Sequence, residues 1–310
     1  MARGVPLDSL CGVWSAAPTP FTDDMEVDTV SVRRMVEHHV GLGVKGLLLA
    51  GSNGEGPWMT HRQRSQLVRA AARSAHGRLV LAVQVTDNSA ARILDNIHRV
   101  SSDGADVAVI ASPFFLINAT PANVLKLFRQ AIRNSPLPVG IYDRGTRDPA
   151  VPIPGPVLSA ICAERNVVVV KDSSLDPARR RLVLAVRKKR PALRLLSGYE
   201  FDCVDYLRAG YDGLLLGGGV FNGLLAGRIV EAVNAGDTAL AERLQGRMSR
   251  IMYAVYGGKN ISCWLAGEKK LLVEMGIFRT WKNYLGYTLT PSCRRAIRRV
   301  LRNDKDVLWP

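Results

Sequence analysis

The sequence predicts a (β/α)8 barrel followed by an all-helical C-terminal appendage, and two observations carry that prediction. Short β-branched or Leu-rich apolar runs recur at intervals of about 25–35 residues, each followed by a longer amphipathic stretch, as repeated βα units require. Near residue 235 the runs stop, and only helical patterns follow. Eight runs qualify as strands: Val13 to Ala17, Gly46 to Ala50, Leu79 to Val85, Val107 to Ala111, Val139 to Tyr142, Val167 to Lys171, Leu193 to Ser197 and Gly213 to Leu216. Helical stretches lie between and after them at 29–42, 61–75, 88–102, 121–134, 155–164, 176–189, 200–209 and 222–234. Eight alternations favour a closed barrel over an open doubly wound sheet.

Several helix starts are legible residue by residue. Thr60 and Gln63 have the spacing of a capping box, in which a hydroxyl and an amide satisfy each other's orphan N–H groups. Asp28 supplies a cap oxygen, and Thr120-Pro121 places a cap before a proline that gives up only a redundant donor. The tail reads as helix at Ala239 to Met252, Glu268 to Met275 and Pro291 to Arg302. The chain therefore divides into a catalytic barrel, 1–235, and a helical unit, 236–310. No low-complexity linker separates them, so the boundary is expected to be packed.

Composition narrows the function. The 310 residues are 47% hydrophobic and 22% charged, which excludes disordered, collagen-like and disulfide-scaffold classes. The net charge of +15 suits nucleic acid, an anionic membrane or acidic small substrates. The basic clusters at Arg179 to Arg181, Arg187 to Arg190 and Arg294 to Arg302 fall on polar faces of helical patterns and read as solvated surface. No nucleic-acid or membrane partner is expected. Five scattered cysteines without C-x-x-C spacing argue against a disulfide framework or a zinc cluster and fit a reducing compartment. No apolar h-region opens the chain and no run spans a bilayer, so a cytoplasmic location is expected. His38, His39, His61, His76 and His98 form no metal-binding motif.

Barrel active sites lie at the C-terminal ends of the strands, and four of these ends carry chemistry. The second strand runs into Gly51-Ser52-Asn53-Gly54-Glu55-Gly56, the fifth into Tyr142-Asp143-Arg144-Gly145-Thr146-Arg147, the sixth into Lys171-Asp172-Ser173-Ser174, and the seventh into Gly198-Tyr199-Glu200. A lysine closing a run of four valines sits at the edge of a barrel interior, where desolvation favours a neutral, nucleophilic amine. A tyrosine at the end of the neighbouring strand is placed to pass a proton. The glycine-rich turn, with the Ser52 hydroxyl and the Asn53 amide, makes a cradle for a carboxylate. It lacks the Lys-Ser/Thr of a phosphate loop.

Together, Thr19-Pro20-Phe21, Gly51-Ser52-Asn53-Gly54-Glu55, Tyr142, Arg147 and Lys171-Asp172-Ser173-Ser174 resemble the dihydrodipicolinate synthase / N-acetylneuraminate lyase family of class I aldolases. The resemblance implies Lys171 as the Schiff-base lysine, Tyr142 as the proton-transfer residue, and Ser52 and Asn53 as ligands of a 2-oxo acid carboxylate. It implies pyruvate as donor or product, an aldehyde as the other reactant, no cofactor beyond the covalent imine, and a homotetramer built from tight dimers. Arg147, Tyr199 and Glu200 would select the second substrate, with Gly54, Gly198 and Leu215 completing the substrate-facing set.

Departures from the family pattern fall around the substrate. The synthase's second tyrosine, given across a dimer interface, maps near Phe114-Phe115, and neither ring carries a hydroxyl. Its Thr-Thr pair is Ser52-Asn53, and its Tyr-Asn-x-Pro segment is Tyr142-Asp143-Arg144-Gly145. Arg147 keeps the spacing of the synthase's acceptor arginine. Gly51 to Glu55 resembles 4-hydroxy-2-oxoglutarate aldolase, and Ser197-Gly198-Tyr199-Glu200 is similar to the sugar-binding segment of sialic acid lyase. A lyase making or breaking a carbon–carbon bond is expected, with a Schiff-base dehydratase as a variant. The reading from another class is a catalytically weak paralogue that senses a ligand or presents a basic binding surface.

Overall fold

The computed structural model describes residues 5–146 and 149–309. Its strands are β1 (Gly12–Ala16), β2 (Gly46–Leu49), β3 (Val80–Gln84), β4 (Val107–Ala111), β5 (Val139–Asp143), β6 (Val167–Asp172), β7 (Arg194–Ser197) and β8 (Gly213–Leu216). They pair in sequence order, all parallel, and β1 closes the barrel against β8. The helices between them are α1 (Thr29–Gly41), α2 (His61–Ala75), α3 (Ala90–Asp103), α4 (Pro121–Arg133), α5 (Gly155–Cys162), α6 (Pro177–Lys189), α7 (Cys203–Arg208) and α8 (Gly219–Asn234). The fold is thus a (β/α)8 barrel. β5 and β6 run one residue beyond the predicted ends, which keeps Tyr142 and Lys171 inside the ladder rather than at its fraying edge.

The barrel interior is filled by side chains such as Trp14, Leu48, Val109, Val169, Leu196 and Leu215. Trp14 is fully buried and donates its indole N–H to the Ser9 carbonyl at 3.1 Å, so its one polar atom is satisfied. Gly46 makes this possible, because a Cβ there would stand 2.6 Å from the Trp14 ring. Large and small residues on neighbouring strands interlock, and the interior is a plug that forms the floor of the mouth above it.

The predicted caps are present. Asp28 accepts from the backbone of Val30 and Ser31, Thr120 accepts from Asn123, and Thr60 with Gln63 forms the complete capping box. His38 and His39 behave as helix residues with structural bonds. His39 meets Met35 O at 2.8 Å and Ser15 Oγ at 2.9 Å, and burial pushes its imidazole down to about 3, which keeps it neutral.

The tail folds as α9 (Thr238–Tyr256), α10 (Trp264–Glu274), α11 (Pro291–Asn303) and a short α12 (Lys305–Leu308) absent from the sequence prediction. Its residues Met252, Val255 and Leu271 share one apolar cluster with the outer face of the barrel. No helix among the described residues is long and apolar enough to cross a membrane. One expectation fails at Arg179, read above as part of a solvated cluster. Its side chain is buried and donates to both carboxylate oxygens of Asp143, at 2.8 and 2.7 Å, and to the Ile153 carbonyl. Asp143 points outward from β5, away from Tyr142, and a buried carboxylate there requires a cation from the covering helix.

Candidate active site

Strand register builds the site. Tyr142 and Lys171 are direct partners in the β5–β6 pair, and the Lys171 amine lies 4.5 Å from the centre of the Tyr142 ring. Both side chains are largely buried. The next residues, Asp143 and Asp172, point to the opposite face, where Arg179 holds the first and Tyr211 donates to the second at 2.5 Å. These outer contacts fix the strand ends and so fix the tyrosine and the lysine. Gly198 clears the space that Lys171 occupies: a Cβ there would stand 2.8 Å from Lys171 Cε and 2.1 Å from Ser173 Oγ.

Lys171 and Tyr142 open into a cavity of about 560 Å³, the scale of a small-molecule site. Ser52, Asn53, Gly198, Tyr199 and Glu200 line it with them, so most of the predicted residues converge. Gly54 and Leu215 do not line it. Gly54 packs on the chain itself, with a Cβ position 2.9 Å from Ala17 O and Ala50 N, while its carbonyl accepts from Thr19 at 2.6 Å. Leu215 belongs to the interior plug below. Arg147 lies outside the described residues. Phe114 and Phe115 are exposed on the loop after β4 and are absent from the cavity wall.

Two predicted binders are engaged by the protein. The Asn53 amide donates to Ala16 O at 2.7 Å, Gly217 O at 3.2 Å and Glu268 Oε1 at 3.1 Å. Glu200 accepts from the Gly218 N–H at 2.7 Å and from the Tyr256 hydroxyl at 2.9 Å, and burial pushes its carboxyl up from the ordinary range. Glu55 of the same turn, in the left-handed region at φ 58°, forms a fully buried ion pair with Lys269 of α10. The tail therefore grips the turn through Glu268 on Asn53, Lys269 on Glu55 and the Tyr284 N–H on Glu55.

Burial alone would push the Tyr142 phenol up. The positive charges of Lys171 and Arg144, with the hydroxyls of Ser173 and Ser52, outweigh it and bring the phenol below its ordinary value. Cations favour the phenolate, so Arg144→Gln is expected to raise this pKa toward that of a free tyrosine. Ultraviolet titration of the phenolate band, with Tyr142→Phe subtracted, reads the shift, and an unchanged titration contradicts the assignment.

Several wall residues have no local signal in the barrel sequence. Tyr253, Tyr256, Ile261 and Trp264 come from the tail, and Phe201 stacks on Tyr253 with ring centres 4.8 Å apart. The i, i+3 pair Tyr253 and Tyr256 on one helix face was the available clue.

A closed barrel with a lysine near the end of its sixth strand beside a tyrosine of the fifth has the layout of a barrel lyase of the aldolase type. Residues 9–278 match the profile of the dihydrodipicolinate synthetase family, and the chain belongs to that family. It is 30% identical to a 4-hydroxy-tetrahydrodipicolinate synthase of Xanthomonas campestris pv. campestris over 67% of each chain. It is 26% identical to the N-acetylneuraminate lyase of Salmonella agona over 94% of this chain and 92% of that one. The structure of dihydrodipicolinate synthase from Bacteroides thetaiotaomicron superposes with a TM-score of 0.86 at 24% identity, covering 97% of this chain and all of that one.

Proposed function

We propose that the protein forms an imine between Lys171 and pyruvate or a related 2-oxo acid, and through it makes or breaks the adjacent carbon–carbon bond. The observation that carries this reading is the lysine amine against the Tyr142 ring, facing the Ser52 turn across one cavity. The Lys171 amine attacks the C2 carbonyl, water leaves, and the iminium draws electrons from C3. Loss of a C3 proton gives an enamine, whose carbon attacks an aldehyde. Hydrolysis of the iminium then frees the product and restores the amine. The cleavage direction runs the same steps backwards.

Tyr142 moves the proton at the carbinolamine and at the aldehyde oxygen, a role suited to a phenol held below its ordinary pKa. The Ser52 hydroxyl and the backbone N–H groups of the Ser52-Asn53 turn cradle the carboxylate, while the Asn53 amide, tied to Glu268, fixes the turn. Glu200 shapes the wall by holding Tyr256. No separate cofactor is needed, because the iminium is the electron sink. Tyr142→Phe is expected to lower kcat by about 10²- to 10⁴-fold while leaving the imine trappable. Loss of trapping in that variant would show that the imine itself cannot form without the phenol.

We also propose that the protein self-associates through the loop after β4. Phe114, Phe115 and Ile117 are all exposed there, an apolar patch that a monomer leaves in water. The resemblance implies a homotetramer built from tight dimers with the C-terminal helices contributing to assembly, and it maps a residue given across the dimer interface near Phe114-Phe115. A Phe114→Asp/Phe115→Asp variant is expected to sediment as a smaller species than the wild type. Identical sedimentation would place the contact elsewhere.

A further inference from the structure

We propose that Arg144 and Lys259 form a subsite for an acid group, carboxylate or phosphate, carried by the second substrate. The inference rests on the Lys171 reading above and adds the class of aldehyde that the imine meets. Arg144 follows β5 and is half-buried in the cavity wall. Lys259 stands on the 257–263 loop between α9 and α10 and lines the same cavity. Neither has a hydrogen-bond or ion-pair partner among the described residues. Arg179, on the opposite face of β5, is by contrast fully paired with Asp143.

The charge of the wall is unbalanced. Glu200 is the one carboxylate among the described lining residues, and its two oxygens are taken by Gly218 and Tyr256. Even counted as charged, it stands against three cations in the same wall, Lys171, Arg144 and Lys259. When Lys171 becomes an iminium, the carboxylate of the 2-oxo acid answers that charge and leaves Arg144 and Lys259 unanswered. A guanidinium partly removed from water without a counter-ion is unfavourable, and its planar fork matches carboxylate and phosphate oxygens. Phe201, Tyr253 and Trp264 line the same cavity and offer apolar ring surface to the carbons of that substrate. Arg147, to which the family's acceptor arginine maps, is a different residue.

The test uses matched 2-oxo acids and the intact protein. Borohydride traps the imine, and intact mass gives the concentration for half-maximal adduct on Lys171. One pair is 2-oxohexanoate and 2-oxoadipate, which differ by a terminal carboxylate. The other is 2-oxo-3-deoxygluconate and its 6-phosphate. The acid-tailed member of at least one pair is expected to saturate at about 10- to 100-fold lower concentration, the scale of a charge-assisted hydrogen bond. The pair with the larger difference identifies the anion. Arg144→Gln and Lys259→Gln should each shrink the difference, and the double variant should erase it. Because each comparison is a ratio within one protein, a general change in folding or imine formation cancels, and Lys259 lies on an exposed loop. Equal concentrations within both pairs, or a preference intact in the double variant, overturns the subsite alone. Absence of any adduct overturns the Lys171 reading and the subsite with it.

Discussion

Lys171→Ala is expected to abolish turnover, with kcat falling by about 10⁴-fold or more, the scale met when a covalent nucleophile is deleted. Among the described lining residues the one other amine is that of Lys259, on the exposed loop between α9 and α10. The variant should still fold. A side chain at the open end of β6 is removed, and the strand remains held by Asp172 with Tyr211, and its neighbour β5 by Asp143 with Arg179. Circular dichroism and thermal unfolding check the fold, and a coupled assay for pyruvate release or consumption checks turnover. Residual activity within tenfold of the wild type contradicts covalent catalysis by this lysine.

Lys269→Met is expected to destabilise the protein by about 3–5 kcal/mol, because it leaves Glu55 as an uncompensated charge in a fully buried site. Lys269 also donates to Lys282 O at 2.8 Å and lies 4.5 Å from the Phe21 ring, so its removal loosens several contacts between tail and barrel. The Glu55→Gln/Lys269→Met double variant removes both charges and should recover much of the loss, since burying an ion pair costs desolvation on both sides. Urea unfolding of the four proteins in the cycle measures this. A loss below about 1 kcal/mol in Lys269→Met would show that the pair is no more than a surface-strength interaction. Because Asn53 and Glu55 belong to one turn, the single variant should also raise the concentration of 2-oxo acid needed for trapping.

The fold was legible because a barrel strand covered on both faces leaves an uninterrupted apolar run. Val167 to Val170 is such a run. The strand ends were legible for the same reason, since Lys171 breaks that run at the mouth. Contacts built from distant segments were not. Arg179 looks like its neighbours Arg180 and Arg181, and only the turn of α6 over Asp143 buries it. Beyond the i, i+3 spacing of Tyr253 and Tyr256, the tail gives no local sign that these residues and Trp264 wall a cavity with Gly198, more than fifty residues away in the chain. The glycines were misleading in a physical way: Gly54 and Gly56 let the turn approach its own backbone, with a Gly56 Cβ position 1.8 Å from Ala50 O. Gly198, quoted as a binding residue, makes room for the lysine as well as lining the pocket.

The central claim is that a 2-oxo acid binds covalently to Lys171. Borohydride reduction in the presence of pyruvate, followed by intact mass and peptide mapping, tests it most directly. The account predicts one pyruvate-sized adduct per chain, mapped to Lys171 and absent from Lys171→Ala. An adduct on another lysine, or no adduct with pyruvate or any longer 2-oxo acid, contradicts it.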